Sequence, residues 1–76
     1  MDIPIRHVKI VSIDYYPTTR LNNTIKSKVR LQGYRRNYWA LDKLEEFEVC
    51  DTVDLTYQMV LINNQIHYWI SNISKL

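Results

Sequence analysis

"IKSKVRLQGYRRNYWAL", residues 25–41, decides the fold. Ile25, Ser27, Val29, Leu31 and Gly33 fall on one side of an extended chain, and Lys26, Lys28, Arg30, Gln32 and Tyr34 on the other. Period two over residues 25–34 is the pattern of a half-exposed strand. The turn that follows can be weighed by register. A two-residue loop at Arg36-Asn37 sets Leu31 against Asp42 and Gln32 against Leu41, which mixes apolar with polar. A three-residue loop, Arg35-Arg36-Asn37 with Asn37 left-handed, sets Leu31 against Leu41, Gln32 against Ala40, Gly33 against Trp39 and Tyr34 against Tyr38. The second register keeps each face consistent, and a one-residue slip would invert it. It predicts Trp39 on the inner face, covering the bare backbone of Gly33. Tyr34 and Tyr38 then point outward with Lys26, Lys28 and Arg30, and Arg35 and Arg36 form the tip.

Before this hairpin, "IRHVKIVSIDYY", residues 5–16, reads as another strand. Val8 and Ile10 share one phase, whereas Val11, Ile13 and Tyr15 share the other. A phase switch at Ile10–Val11 predicts a bulge or a strand buried on both faces. Pro17 ends it, and residues 17–23 read as a loop. After the hairpin, "DKLEEFEVC", residues 42–50, breaks the alternation. Leu44 and Phe47 stand three apart among acids, and Asp42 is placed to cap, so a short helix or helical turn is predicted. Residues 52–62 and 65–73 form a second hairpin about Asn63-Asn64, a pair suited to a type I′ turn. That register sets Leu61 against Ile66, Met59 against Tyr68 and Tyr57 against Ile70, and makes theirs the core face. Thr56, Gln58, Val60, His67, Trp69 and Ser71 occupy the other.

The order along the chain is therefore β-β-β-α-β-β, a mainly β fold of five strands in a single small domain spanning residues 1–76. This order resembles that of the OB-fold, a small barrel. The tail, "CDTVDLTYQMVLINNQIHYWISNISKL", is also similar to the last two strands of small OB-type domains, with an Asp-bearing turn opening the fourth strand. The resemblance lies in topology and pattern, without a diagnostic motif. OB-folds commonly bend the first strand at glycine, and this strand has none. An SH3-like barrel is the alternative fold.

Composition bounds the function. A chain of 76 residues with 46% hydrophobic and 24% charged residues is an ordinary globular domain with a small core. The single cysteine, Cys50, excludes an internal disulfide and fits a reducing, cytoplasmic setting. Arg6 and Lys9 interrupt the N-terminal apolar residues, so no signal peptide is expected, and no segment offers the ~20 apolar residues of a membrane helix. The Asn-x-Ser/Thr triplets at Asn22 and Asn72 are then chance occurrences. Richness in Ile, Asn, Lys and Tyr fits an AT-rich genome, such as that of a low-GC bacterium, phage or plasmid. Residues 1–43 carry nine Lys/Arg against three Asp, net +6, and residues 44–76 carry one Lys against five acids, net −4. The asymmetry points to an anionic partner for the basic half.

No Gly-rich phosphate loop, paired-Cys motif or Gly-x-Ser-x-Gly elbow is present, so no enzyme, metal or cofactor is expected. Cys50 reads as a small hydrophobe rather than a nucleophile, and His7 and His67 as ordinary histidines rather than ligands. Glu45, Glu46 and Glu48 read as a solvated face. The basic, aromatic face is the strongest feature. Cations neutralise phosphates and flat rings stack on unpaired bases, which is what single strands require. The expected contacts are Lys26, Lys28, Arg30, Tyr34, Arg35, Arg36 and Tyr38. By the OB resemblance Arg20, in the first loop, lies on the same side, and Trp69 is a further platform. The partner expected is single-stranded nucleic acid, DNA favoured over RNA. The second reading is a protein-interaction module, such as a phage- or plasmid-type inhibitor or accessory subunit, since Tyr, Trp and Arg also dominate interface hot spots; a homo-oligomer is a further form considered.

Overall fold

The computed structural model describes residues 2–17, 25–41 and 44–76, with backbone alone at 17 and 25. Five strands, β1 (Ile3–Pro17), β2 (Ile25–Leu31), β3 (Asn37–Ala40), β4 (Thr52–Ile62) and β5 (Gln65–Lys75), close into a barrel in the order β1-β2-β3-β5-β4. All neighbouring pairs are antiparallel except β3 and β5, which run parallel. This ring is compatible with an OB-like fold.

β1 is long enough to serve both β2 and β4 because it is bent twice. The pairing with β2 steps between Ile10 and Ser12, which leaves Val11 bulged and exposed. This is the phase switch expected from the sequence. A second step, between Ile5 and Val8 against β4, puts His7 at φ 54°. The Asp54 carboxylate accepts the His7 backbone N–H at 2.6 Å and lies 3.3 Å from its ring nitrogen. Two bulges thus supply the curvature that glycine often gives. Ile5, Val8 and Ile10 remain buried across both steps.

The core is a layer of Ile5, Val8, Ile10, Val29, Leu31, Val53 and Leu55, closed at one end by Leu44 and Phe47 and filled at its centre by Tyr38 and Tyr57. Tyr38 is 0% exposed. This corrects the hairpin register expected from the sequence. The observed pairs are Ser27↔Ala40, Lys28↔Trp39, Val29↔Tyr38 and Arg30↔Asn37. Leu31 therefore does not face Leu41, which is exposed, and the loop is not three residues long. The displacement is odd-numbered, so β3 presents the opposite face: Tyr38 goes in and Trp39 goes out. The cause is local. Gly33 adopts φ 84° and the Tyr34 N–H reaches back to the Leu31 carbonyl at 3.1 Å, so a tight turn closes at once after β2. The Gln32 N–H meanwhile donates to the Lys9 carbonyl of β1 at 2.9 Å. Gly33 serves a backbone conformation, not a tryptophan. Ser27 and Ala40, small and buried opposite one another, leave room for the Tyr38 ring.

No helix occurs among the described residues. The expected helical segment is two successive turns, closed by Phe47 N–H to the Leu44 carbonyl at 3.2 Å and Asp51 N–H to the Glu48 carbonyl at 3.1 Å. Cys50, at φ 78°, could not continue a helix. The proposed Asp42 cap lies outside the described residues. Leu44 and Phe47 are buried, so their spacing did report a shared inward face.

The second hairpin has the expected register, Leu61↔Ile66, Met59↔Tyr68 and Tyr57↔Ile70, with Asn63 and Asn64 at φ 50° and 65°. Its inner face is core only near the barrel. Tyr57 is buried and Tyr68 and Ile70 pack against the core, but Met59, Leu61 and Ile66 are exposed because the hairpin outruns its neighbours.

Candidate nucleic-acid interface

Alternation of side chains across the strands assembles one outer face. β1 contributes Ser12, Asp14 and Tyr16, and β2 contributes Arg30, Lys28 and Lys26 beside them in register. β3 contributes Asn37 and Trp39. Parallel pairing sets Trp69 of β5 beside Trp39, on the same side. Tyr16 is exposed, whereas Lys26, Lys28, Trp39 and Trp69 are half-buried.

Cations and rings interleave across this face. The Lys26 ammonium lies 4.4 Å from the Trp39 ring centre, and the Lys28 ammonium 5.3 Å from that of Tyr16. The Tyr16 and Trp39 rings are themselves 5.7 Å apart at 57°. Asp14, itself exposed, stands 3.9 Å from the half-buried Lys28, a long pair that contributes little. Next to Trp69 the face gives way to an open cleft of about 620 Å³, lined by residues including Ala40, Leu41, Leu44, Gln58 and Ile73. It opens where β3 ends and β5 continues paired with β4 alone.

The residues singled out from the sequence separate into four groups. Lys26, Lys28, Arg30 and Trp69 lie on the shared face. Arg35 and Arg36 are exposed in the β2–β3 loop, the Arg36 guanidinium stacked 4.7 Å from the Tyr68 ring centre. Tyr34 is exposed in the same loop and meets Tyr38 edge-on at 6.3 Å. Tyr38 faces the core, in contact with Tyr57 and Tyr68 at centroid distances of 5.0 and 5.9 Å, and has no accessible surface for a ligand. Burial, reinforced by Tyr57, pushes its hydroxyl above the usual phenol range. Arg20 lies outside the described residues. Sequence reasoning missed Tyr16 and assigned Trp39 to the core. Tyr16 had a usable signal: if Ile13 and Tyr15 share the inner phase, Tyr16 must point outward.

No group of three or more His, Cys, Asp or Glu is arranged to hold a metal among the described residues, and no helix there is long and apolar enough to cross a membrane. Comparison with protein families, with curated proteins and with solved structures finds no match to this chain.

Proposed function

We propose that this protein is an OB-type barrel that binds single-stranded nucleic acid, DNA in preference to RNA, without catalysis. The observation that carries the reading is the interleaving of Lys26 with Trp39 and of Lys28 with Tyr16 on one strand surface. In the free protein each ammonium covers a ring. A nucleic-acid strand exchanges both contacts at once: the base takes the ring and the phosphate takes the ammonium. A cation–π contact between partly buried groups such as these is worth about 0.5–2 kcal/mol. Base stacking returns roughly 1–3 kcal/mol per base, and each neutralised phosphate releases counterions besides. The exchange is therefore downhill. Trp39 and Tyr16 are the stacking platforms, Lys26, Lys28 and Arg30 the phosphate contacts, and Trp69 a further ring at the edge. Arg35, Arg36 and Tyr34 extend the path along the loop.

Fluorescence-anisotropy titration with oligo-dT and oligo-U at low and at moderate salt tests the proposal. Binding should weaken as salt rises, and Trp39→Ala should weaken it by about 1–3 kcal/mol. No binding at low salt, or binding indifferent to salt, refutes it.

A further inference from the structure

Along β5, His67 shares the outer face with Trp69, two residues further on. Val60 of β4 stands directly opposite it. One step back along the parallel register of β3 and β5, Asn37 comes level with His67, and Asn37 is itself paired with Arg30 of β2. Arg30, Asn37 and His67 thus form one row across three strands, alongside the row of Lys28, Trp39 and Trp69. His67 is half-buried and Arg30 exposed. Neither the His67 ring nor the Arg30 guanidinium makes a hydrogen bond or an ion pair among the described residues. The row therefore ends, on both sides, in a side chain with nitrogen donors to spare.

We propose, resting on the single-strand reading, that His67 is a further phosphate contact whose charge makes binding at this face depend on pH. Two residues of a strand span about 7 Å, so a base stacked on Trp69 brings its flanking phosphate within reach of His67. Histidine is the side chain whose charge ordinarily changes between about pH 5 and 8. Either form of the imidazole can donate an N–H to a phosphate oxygen, but only the imidazolium neutralises the phosphate and releases a counterion. The groups that face His67 leave that role open. On β4 they are Val60, with Gln58 and Ile62 to either side, and on β3 Asn37. The charges on this side are Arg30 across Asn37, and Arg35 and Arg36 in the β2–β3 loop, the Arg36 guanidinium stacked on the ring of the adjacent Tyr68. The acids of the surface are engaged elsewhere: the Asp2 carboxylate accepts from the Gln58 side chain at 2.7 Å, and Asp14 lies 3.9 Å from Lys28. His7 stands apart, beside Asp54 where β1 meets β4.

Fluorescence anisotropy with oligo-dT, over a salt series at about pH 5.5 and again at about pH 7.5, tests the proposal. Neither thymine nor the phosphodiester titrates in that range. The slope of log affinity against log salt should be steeper at the lower pH by up to about 0.7, the effect of one more neutralised phosphate. Between about 50 and 200 mM salt that is a further loss of about 2- to 3-fold in affinity. His67→Gln should give one slope at both pH values. His67→Lys should give the steeper slope at both, which a merely structural histidine would not do. His7→Gln should keep the pH effect, and circular dichroism at each pH should report an intact fold. A slope indifferent to pH in the wild type, or a pH effect that survives His67→Gln or vanishes with His7→Gln, overturns the proposal while the single-strand reading stands. No binding at low salt at either pH overturns both.

Discussion

Replacing Tyr38 with Phe should make the protein more stable. The Tyr38 hydroxyl is buried and has no hydrogen-bond partner among the described residues. A polar group in that position costs about 1–3 kcal/mol relative to one left in water. Removing it recovers that cost, less the void that one oxygen leaves. At about 24 cal/mol per Å³, a void of about 10–15 Å³ costs only about 0.3 kcal/mol. The ring contacts with Tyr34, Tyr57 and Tyr68 involve the ring alone and persist. The net expectation is a gain of about 1–2 kcal/mol, or at least about 4 °C in Tm for a domain of this length. Urea unfolding by tryptophan fluorescence measures it, and unchanged oligonucleotide affinity should accompany it. Loss of more than about 1 kcal/mol would refute the reasoning, because it would mean that the hydroxyl has a partner and that Tyr38 does not sit as described.

Three further outcomes follow from the same geometry. Gly33→Ala should cost about 1–2 kcal/mol through its left-handed φ alone, since a Cβ there meets nothing within 4 Å, and Gly33→Asn should restore part of that loss in thermal melts. The Asp51 carboxylate accepts the Glu48 backbone N–H at 2.8 Å and lies 3.2 Å from the Lys75 ammonium, and these hold it below the usual carboxylate range. Its stabilising effect is complete above that range and disappears as pH falls through the folded value, so Asp51→Asn should be less stable at neutral pH and the gap should close in acid melts. Lys26→Ala and Lys28→Ala should each lower the slope of log affinity against log salt by about 0.7 for a single-stranded oligonucleotide.

What the sequence made legible was local. The break at Val11 announced itself because apolar residues change parity at Ile10–Val11, which left a bulge or a strand buried on both faces, and the register shift between Ile10 and Ser12 makes it a bulge. The second hairpin's register was legible from its turn as far as Tyr57↔Ile70, because Asn63-Asn64 permits few turns, but the bulge at Thr56/Tyr57 and the exposure of Met59, Leu61 and Ile66 were not. The first was not, because Tyr38 and Trp39 are adjacent, both large, and both acceptable on either face. Parity there was set by the turn at Gly33 and by the space beside Ser27 and Ala40, which depends on strands far away in the chain. The candidate site inherited the same error: its lysines were identifiable from alternation alone, but its rings were exchanged with those of the core. Leu44 and Phe47 illustrate a second limit, since a spacing of three fits one helical turn and two β-turns equally well.

The barrel is closed by a short seam. β3 and β5 share only two register positions, Tyr38↔Tyr68 and Trp39↔Trp69, whereas β4 and β5 are zipped along nearly their whole length. Opening the ring there breaks few hydrogen bonds, so amides along β3 should exchange with solvent by local opening well before global unfolding. Both tryptophans stand on the two lips of that split. Their emission therefore reports the breathing of the seam, and a strand stacked across Trp39 and Trp69 would act as a clasp, slowing exchange at β3 more than anywhere else in the molecule.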